Sequence, residues 1–264
     1  MFALCNFVKQ IMKIALIQAP LLWENPKQNR SYFEDKINSI TENVDLIVLP
    51  EMFTTGFTMN PKSVAETMQG ETVLWIQALA KAKNSAITGS LVIEENGNFY
   101  NRLVFVFPSG EMNTYDKKHL FSLAGEDKAY TSGVEKLLID CQGFKICTLI
   151  CYDLRFPVFA RNTEDYDLLI YVANWPKPRI NAWDALLKAR AIENMCYTIG
   201  VNRIGEDPNK HNYPGHSQVI DELGNYLIEP QENEGIFITT INKNSLVATR
   251  KKFGFLNDCD AFSI

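Results

Sequence analysis

The sequence predicts an α/β fold built on mixed sheets, and three observations carry that reading. Short apolar runs rich in branched residues alternate with segments of helical periodicity, hairpin-type turns interrupt the alternation, and no Gly/Ser-rich, Pro-rich or single-charge stretch divides the chain. Lys13-Ile-Ala-Leu-Ile-Gln-Ala19 reads as the first strand. Phe33, Ile37, Ile40 and Val44 recur at helical spacing before the buried-strand run Asp45-Leu-Ile-Val-Leu-Pro50, and Leu74, Ala78, Leu79 and Ala82 do so before the run from Ala86 to Ile93. Helices so placed are crossovers, which parallel strands require. Asn96-Gly97 is a hairpin turn leading into Phe99 to Phe107, because both residues tolerate positive φ. A strand is expected after the Pro108-Ser-Gly110 turn, ending in Tyr115-Asp-Lys-Lys-His-Leu-Phe121, and another after Gln142-Gly143, over Lys145 to Ile150. The run from Asp167 to Ala173, an amphipathic helix around Trp183, Leu186, Leu187 and Ala191, and a strand from Cys196 to Val201 follow. Ser217 to Ile220 and Tyr226 to Ile228 flank the hairpin turn Leu223-Gly-Asn225, and Ile236 to Ile241 is the last strong strand.

A chain of 264 residues buries roughly three quarters of its unfolded surface, enough for a large core. Without a linker-like stretch, one catalytic-sized domain is the expectation. Residues 13–243 would form it, residues 1–12 being an N-terminal extension or a mis-assigned translation start and residues 244–264 a C-terminal segment. The formal net charge is -5 with both signs interspersed, which argues against a nucleic-acid partner. The six cysteines, at 5, 141, 147, 151, 196 and 259, contain no zinc-type Cys-x2-Cys pair, so no metal is expected. No run of about eighteen apolar residues is present to span a bilayer. Without a recognisable secretory leader, the expected compartment is the cytoplasm, with its thiols reduced.

The most informative segment is Lys145-Ile-Cys-Thr-Leu-Ile150 running into Cys151-Tyr-Asp-Leu-Arg-Phe-Pro157. A buried strand stops there at a thiol, with Pro157 placed for the first turn of a following helix. Such a junction lifts Cys151 to the carboxyl edge of a sheet and aims the next backbone N–H, that of Tyr152, at whatever the sulfur attacks. Glu51 likewise follows a strand, and its neighbours Leu49, Met52, Phe53 and Phe57 form an apolar mouth in which a carboxylate pKa rises, as suits a general base. In Tyr115-Asp-Lys-Lys-His-Leu-Phe121, strand periodicity puts Lys117 and His119 on one face and Lys118 on the other.

Taken together, these segments resemble the Glu, Lys and Cys triad of the nitrilase, or carbon-nitrogen hydrolase, superfamily, in the family's order. The resemblance runs from about Lys13 to Lys243 and includes Asn174-Trp175, Arg190-Ala-Ile-Glu-Asn194 and Gly215-His-Ser-Gln-Val219. It implies a four-layer α-β-β-α sandwich, a supporting glutamate at Glu126, and no organic cofactor or metal. It also implies a homodimer or higher homo-oligomer, for which the C-terminal Phe253-Gly-Phe255 and Phe262 are candidate docking residues. Within the superfamily the segments after Glu51, Lys117 and Cys151 look most like the omega-amidase branch, which acts on short dicarboxylic monoamides such as 2-oxoglutaramate.

The chemistry of amide cleavage gives each residue a task. The Cys151 thiolate attacks, Lys117 and the Tyr152 N–H hold the oxyanion, and Glu51 moves the thiol proton to departing ammonia before activating water against the thioester. Glu126 positions Glu51 or the substrate amide. Tyr152, Trp175, Phe53, Phe57 and Asn174 are expected around the substrate, and Arg155, Lys118, Arg179 and Arg203 are candidate cations for a distal carboxylate. Four alternatives remain at this stage. They are an N-carbamoyl amine hydrolase, a nitrilase, a Cys-His hydrolase using His119, His211 or His216, and a non-catalytic small-molecule-binding protein on the same scaffold.

Overall fold

The computed structural model of the protein describes residues 10–260. Its first half runs β1 (Ile11–Gln18), α1 (Pro26–Asn38), β2 (Leu46–Val48), α2 (Glu71–Lys83), β3 (Ala86–Glu95), β4 (Asn98–Val106), β5 (Met112–Asp116) and α3 (Glu126–Ala129). The second half runs β6 (Leu137–Cys141), β7 (Phe144–Ile150), β8 (Leu168–Ala173), α4 (Ile180–Asn194), β9 (Tyr197–Asn202), β10 (Ile204–Glu206), β11 (Asn212–Pro214), β12 (Gln218–Ile220), β13 (Tyr226–Ile228), β14 (Gly235–Asn242) and α5 (Lys243–Phe253). Two six-stranded sheets result, ordered β14-β1-β2-β3-β4-β5 and β13-β12-β9-β8-β7-β6, beside the small β10-β11 hairpin. Both large sheets are mixed: β1, β2 and β3 pair in parallel in one, and β7, β8 and β9 in the other.

Alternation along the strands explains the layering. Ile14 and Leu16 of β1, with Leu46 and Val48 of β2, face the second sheet, whereas Ala15, Ile17 and Ile47 face α1 and α2. Because both faces are covered, these strands read as unbroken apolar runs. Phe33 and Ile37 of α1 and Val73, Ile76 and Leu79 of α2 close the outer core of the first sheet, and Trp183, Leu187 and Ala191 of α4 pack on the second. The helix lies so close that a side chain on Gly200 of β9 would put Cβ 2.4 Å from Leu187 and 2.6 Å from Trp183. The expected four-layer sandwich is therefore present.

Several element expectations need correction. Strand β1 begins at Ile11, and Met12 is fully buried opposite Ile241, so these two residues belong to the fold and not to an extension. Helix α1 ends at Asn38, leaving Ile40 and Val44 as buried loop residues. In α2 the buried stripe contains Val73, Ile76 and Ala80, while Leu74 is 59% exposed. Of the residues read as its buried face, Leu79 is buried while Ala78 and Ala82 are exposed, because apolar residues at i, i+4 spacing occupy two adjacent faces. Strand β6 and the β10-β11 hairpin have no counterpart in the sequence reading. At the C-terminus, Phe253 and Phe255 stack at 5.3 Å and are 40% and 56% exposed. Cys5 and Phe262 lie outside the described residues. No helix among the described residues is long and apolar enough to cross a membrane.

Candidate active site

The chemistry-bearing side chains sit just beyond the ends of strands from both sheets. Glu51 lies beyond β2, Lys117 directly beyond β5, Cys151 directly beyond β7 and Asn174 directly beyond β8. Strand β7 turns into a 3-10 helix, Cys151–Arg155, rather than an α-helix, and Pro157 falls after it instead of in its first turn. Cys151 adopts φ +43°, a left-handed conformation unusual for a residue with a side chain. Asp153 holds this turn: its carboxylate accepts the Ile150 N–H at 3.0 Å, the Tyr115 hydroxyl at 2.7 Å and the His119 N–H at 2.9 Å. The turn at Glu51 is made the same way. Met52 has φ +43°, and its N–H donates to Ser90 Oγ at 2.8 Å.

Lys117 organises the site. Its side chain is fully buried, as are those of Glu51 and Glu126. Nζ lies 2.9 Å from Glu51 Oε1, and 3.0 and 2.9 Å from the two oxygens of Glu126. Asn101 Nδ2 bridges the same carboxylates, at 2.8 Å to Glu51 and 3.1 Å to Glu126. The second Glu51 oxygen accepts the Asn174 N–H at 2.8 Å, and Asn174 Nδ2 donates to the Glu51 carbonyl at 2.7 Å. Glu51 is thereby fixed from both sheets. Lys117 and Asn101 each bridge Glu126 to Glu51, and the second Glu126 oxygen also accepts the Phe121 N–H at 2.6 Å.

Electrostatics follow from burying two carboxylates with one ammonium. Burial opposes the charge of Lys117, but Glu126 and Glu51 outweigh it and hold its pKa above the ordinary lysine value. Burial raises the Glu126 pKa, with Lys117 opposing and Glu51 adding to the rise. The Cys151 thiol is pushed well above its ordinary value, first by burial and then by Glu51, with Lys117 only partly offsetting them. Burial and Glu51 thus both favour the protonated form of Cys151. A thiolate forms here when its proton has somewhere to go.

Cys151 opens on a cavity of about 210 Å³ whose walls include Phe57, Tyr152, Arg155, Asn174, Trp175 and Arg179. Its volume is below the roughly 300–1,000 Å³ of drug-sized pockets, which fits a compact substrate. Phe53, expected beside the substrate, is instead fully buried under α1, edge-on to Phe33 at 5.4 Å. Lys118 and Arg203 are likewise outside the wall; Arg203 donates to the Leu21 carbonyl behind Tyr213. His119 is not on the face of Lys117. Strand β5 ends at Asp116, and the His119 ring turns to Asp153 at 2.8 Å and stacks on Phe156 at 3.7 Å. His216 pairs with Asp184, and only His211, paired with Asp207, reaches the cavity wall. None of the three is hydrogen-bonded to Cys151. Among the described residues, no group of three His, Cys, Asp or Glu side chains is arranged to hold a metal ion.

Asn101, Ser90 and Asp153 were not among the expected site residues. Nothing in the local sequence distinguishes Asn101 or Ser90, which are brought to the site by strand pairing; Asp153 lies within the Cys151–Pro157 segment but was not singled out there. Phe121, Leu123 and Ala124, also on the cavity wall, were legible only as a loop after Lys117.

The structure is a sandwich of two mixed sheets that gathers a cysteine, a lysine and two carboxylates beside one cavity. Residues 13–251 match the carbon-nitrogen hydrolase family model, and the chain belongs to that family. It is 41% identical over 254 residues to the omega-amidase YafV of Escherichia coli strain K12, covering 96% of this chain and 98% of that protein. Against the 2-oxoglutaramate amidase of Bacillus subtilis strain 168 the identity is 32% over 250 residues, with 93% and 96% covered. The crystal structure of XC1258 from Xanthomonas campestris, a CN-hydrolase superfamily protein with an arsenic adduct in its active site, matches with a TM-score of 0.94 and 41% identity, over 96% of this chain and 99% of that one.

Proposed function

We propose that this amidase removes the terminal amide of a short dicarboxylic monoamide, of which 2-oxoglutaramate is the model, through a thioester on Cys151. The observation that carries the mechanism is the buried Glu51-Lys117-Glu126 cluster beside a thiol whose pKa is raised. With the thiol protonated, the cluster holds two carboxylates against one ammonium, and a further anion inside it is disfavoured. Transfer of the thiol proton to Glu51 leaves the total charge unchanged as sulfur bonds to the amide carbon. An ammonium has three donors, and the two carboxylates occupy two of them if the Glu126 contact is shared. The third, with the Tyr152 N–H, is then available to the oxyanion.

Collapse of the tetrahedral species breaks the C–N bond as Glu51 returns its proton to the nitrogen, and ammonia leaves. Glu51 next takes a proton from water as the hydroxide adds to the thioester carbon; when the C–S bond breaks, Glu51 returns that proton to sulfur, which regenerates the thiol and releases a carboxylic acid that ionises in solution. Glu126 and Asn101 fix Lys117 and Glu51 throughout, and Asn174 ties Glu51 to the nucleophile's sheet. The substrate class rests on the likeness to the omega-amidase and the 2-oxoglutaramate amidase, together with the small cavity. Ammonia release measured as kcat/KM for 2-oxoglutaramate, glutamine, an N-carbamoyl compound and a nitrile of equal length tests it. The monoamide is expected to lead. Preference for the nitrile or carbamoyl compound by more than about tenfold, roughly 1.4 kcal/mol, overturns the substrate while leaving the mechanism standing.

A further inference from the structure

Glu51 belongs to one sheet and Cys151 to the other, so their separation depends on how the two sheets are held together at the site. Lys117 and Asn101 hold the Glu51 carboxylate from its own sheet, and Asn174 holds it from the nucleophile's sheet. Asn174, however, lies just beyond the end of β8, where pairing with β9 has stopped at Ala173 and Asn202. The Asn174-Trp175 backbone is an overhang that no neighbouring strand supports. The indole of Trp175 gives no hold on either sheet, since it donates to the Arg179 carbonyl within the same loop.

The Asn202 side chain takes the place of the missing strand. Its Oδ1 accepts the Trp175 N–H at 2.7 Å, and its Nδ2 donates to the Trp175 carbonyl at 2.9 Å and to the Gly215 carbonyl at 2.7 Å. A carboxamide carries donor and acceptor side by side, so it continues the ladder as a peptide group does. Asn202 is itself pinned by Ser217, whose Oγ accepts the Asn202 N–H at 3.0 Å and donates to the Asn202 carbonyl at 3.2 Å, just before β12 begins at Gln218. The Ser217 N–H then donates at 2.8 Å to Oε1 of Gln18, the last residue of β1 in the first sheet. Gln18 Nε2 is anchored on the Gln231 and Asn233 carbonyls at 2.8 and 2.7 Å. Gly215, at φ +81°, permits this approach, because a Cβ there would lie 2.3 Å from Gln18 Cδ. Gln18, Asn202 and Ser217 are fully buried, where hydrogen bonds are strong and water does not replace a lost one.

The chain of bonds leaves the first sheet at Gln18, crosses the second through Ser217, Asn202 and Asn174-Trp175, and returns to the first at Glu51. We propose that Asn202, backed by Ser217 and Gln18, is a positioning residue for the catalytic base, latching the Asn174-Trp175 overhang so that Glu51 of one sheet is set against Cys151 of the other. Asn202 is not on the cavity wall; it acts through Trp175 and Asn174. The proposal rests on Glu51 being the proton carrier and not on the choice of substrate. It also gives the Gly215-His-Ser-Gln-Val219 segment a part in the reaction.

The test is a double-mutant cycle on kcat for ammonia release from 2-oxoglutaramate, or from whichever amide of the panel is hydrolysed fastest, in the wild type, Asn202→Ala, Glu51→Gln and the double variant. Asn202→Ala is expected to lower kcat about a hundredfold, the cost of a misplacement of about 1 Å at the reacting groups. Beside Glu51→Gln the same substitution should cost less than about threefold, because the group it positions has already been disabled. Trp175 also lines the cavity, so KM moves in both backgrounds alike and kcat alone carries the result. Equal losses of kcat in the two backgrounds overturn the latch, as does an unchanged kcat in Asn202→Ala, since a merely structural residue acts independently of Glu51. If Asn202→Ala does not fold, Ser217→Ala, which removes one hydroxyl, carries the same cycle, with a fall of about tenfold expected in the wild-type background and again less than about threefold beside Glu51→Gln. Glu51→Gln alone separates the two readings. If it leaves kcat unchanged, the proton-carrier reading fails and the latch with it; if it lowers kcat and the losses are additive, the latch alone fails.

Discussion

Cys151 and Glu51 share one proton in this account, and the direction of the thiol shift gives that statement a test at the residue scale. Glu51 raises the Cys151 pKa and Lys117 lowers it. Glu51→Gln removes the first influence, so the midpoint of the pH profile for iodoacetamide alkylation should move to lower pH even as hydrolysis falls by a factor of 100 or more, as expected for loss of a general acid–base. Opposite movement of reactivity and turnover is the signature of a carboxylate that withholds the proton until the substrate is present. A profile shifted to higher pH contradicts it. At this scale Glu51 and Cys151 stood out because each follows, or nearly follows, an apolar strand, whereas Lys117 follows the polar strand β5 and stood out only within its Tyr115–Phe121 segment. Phe53 was misplaced because an aromatic residue two positions from Glu51 can point into the site or into the core, and only Phe33 and Trp75 packing around it decides.

At the scale of the element, the question is what holds two left-handed residues, Cys151 and Met52, at the site. Backbone of this kind costs on the order of 1–3 kcal/mol per residue and persists where its surroundings impose it. For Cys151 the imposing group is Asp153, which gathers Ile150, Tyr115 and His119 from β7, β5 and the loop beyond. Asp153→Ala should therefore lower kcat sharply while Glu51 and Lys117 stay intact. It should also destabilise the fold by about 1–3 kcal/mol for buried donors left unpaired, measurable by denaturant unfolding. Unchanged kcat in a correctly folded variant would remove Asp153 from the support of the nucleophile. Beneath Glu51 the analogous constraint is steric. A side chain on Gly89 of β3 would meet Leu49 Cβ and Phe53 at 2.9 Å, so the Glu51 turn packs directly on bare backbone.

Across the whole molecule, the legible part of the fold was the part with a one-dimensional signal. Strands buried on both faces, Gly-containing hairpins and crossover helices were read close to their observed places. Strand β6 was not, because Leu137-Leu-Ile-Asp-Cys141 has no clean alternation and lies at a sheet edge. Nor was the bridging role of Asn101, which depends on β4 lying beside β5 and on Glu126 folding back over Lys117. The layered sandwich brings the strand ends of two sheets to one cavity, and the account stands on what happens to Cys151 there. The most direct measurement is intact-mass and peptide mass spectrometry of enzyme acid-quenched during turnover of 2-oxoglutaramate. The account predicts an adduct on the peptide carrying Cys151, with the mass of the substrate less ammonia, lost on further incubation and absent from Cys151→Ala. Sustained ammonia release by Cys151→Ala, or an acyl adduct on any other residue, would contradict it.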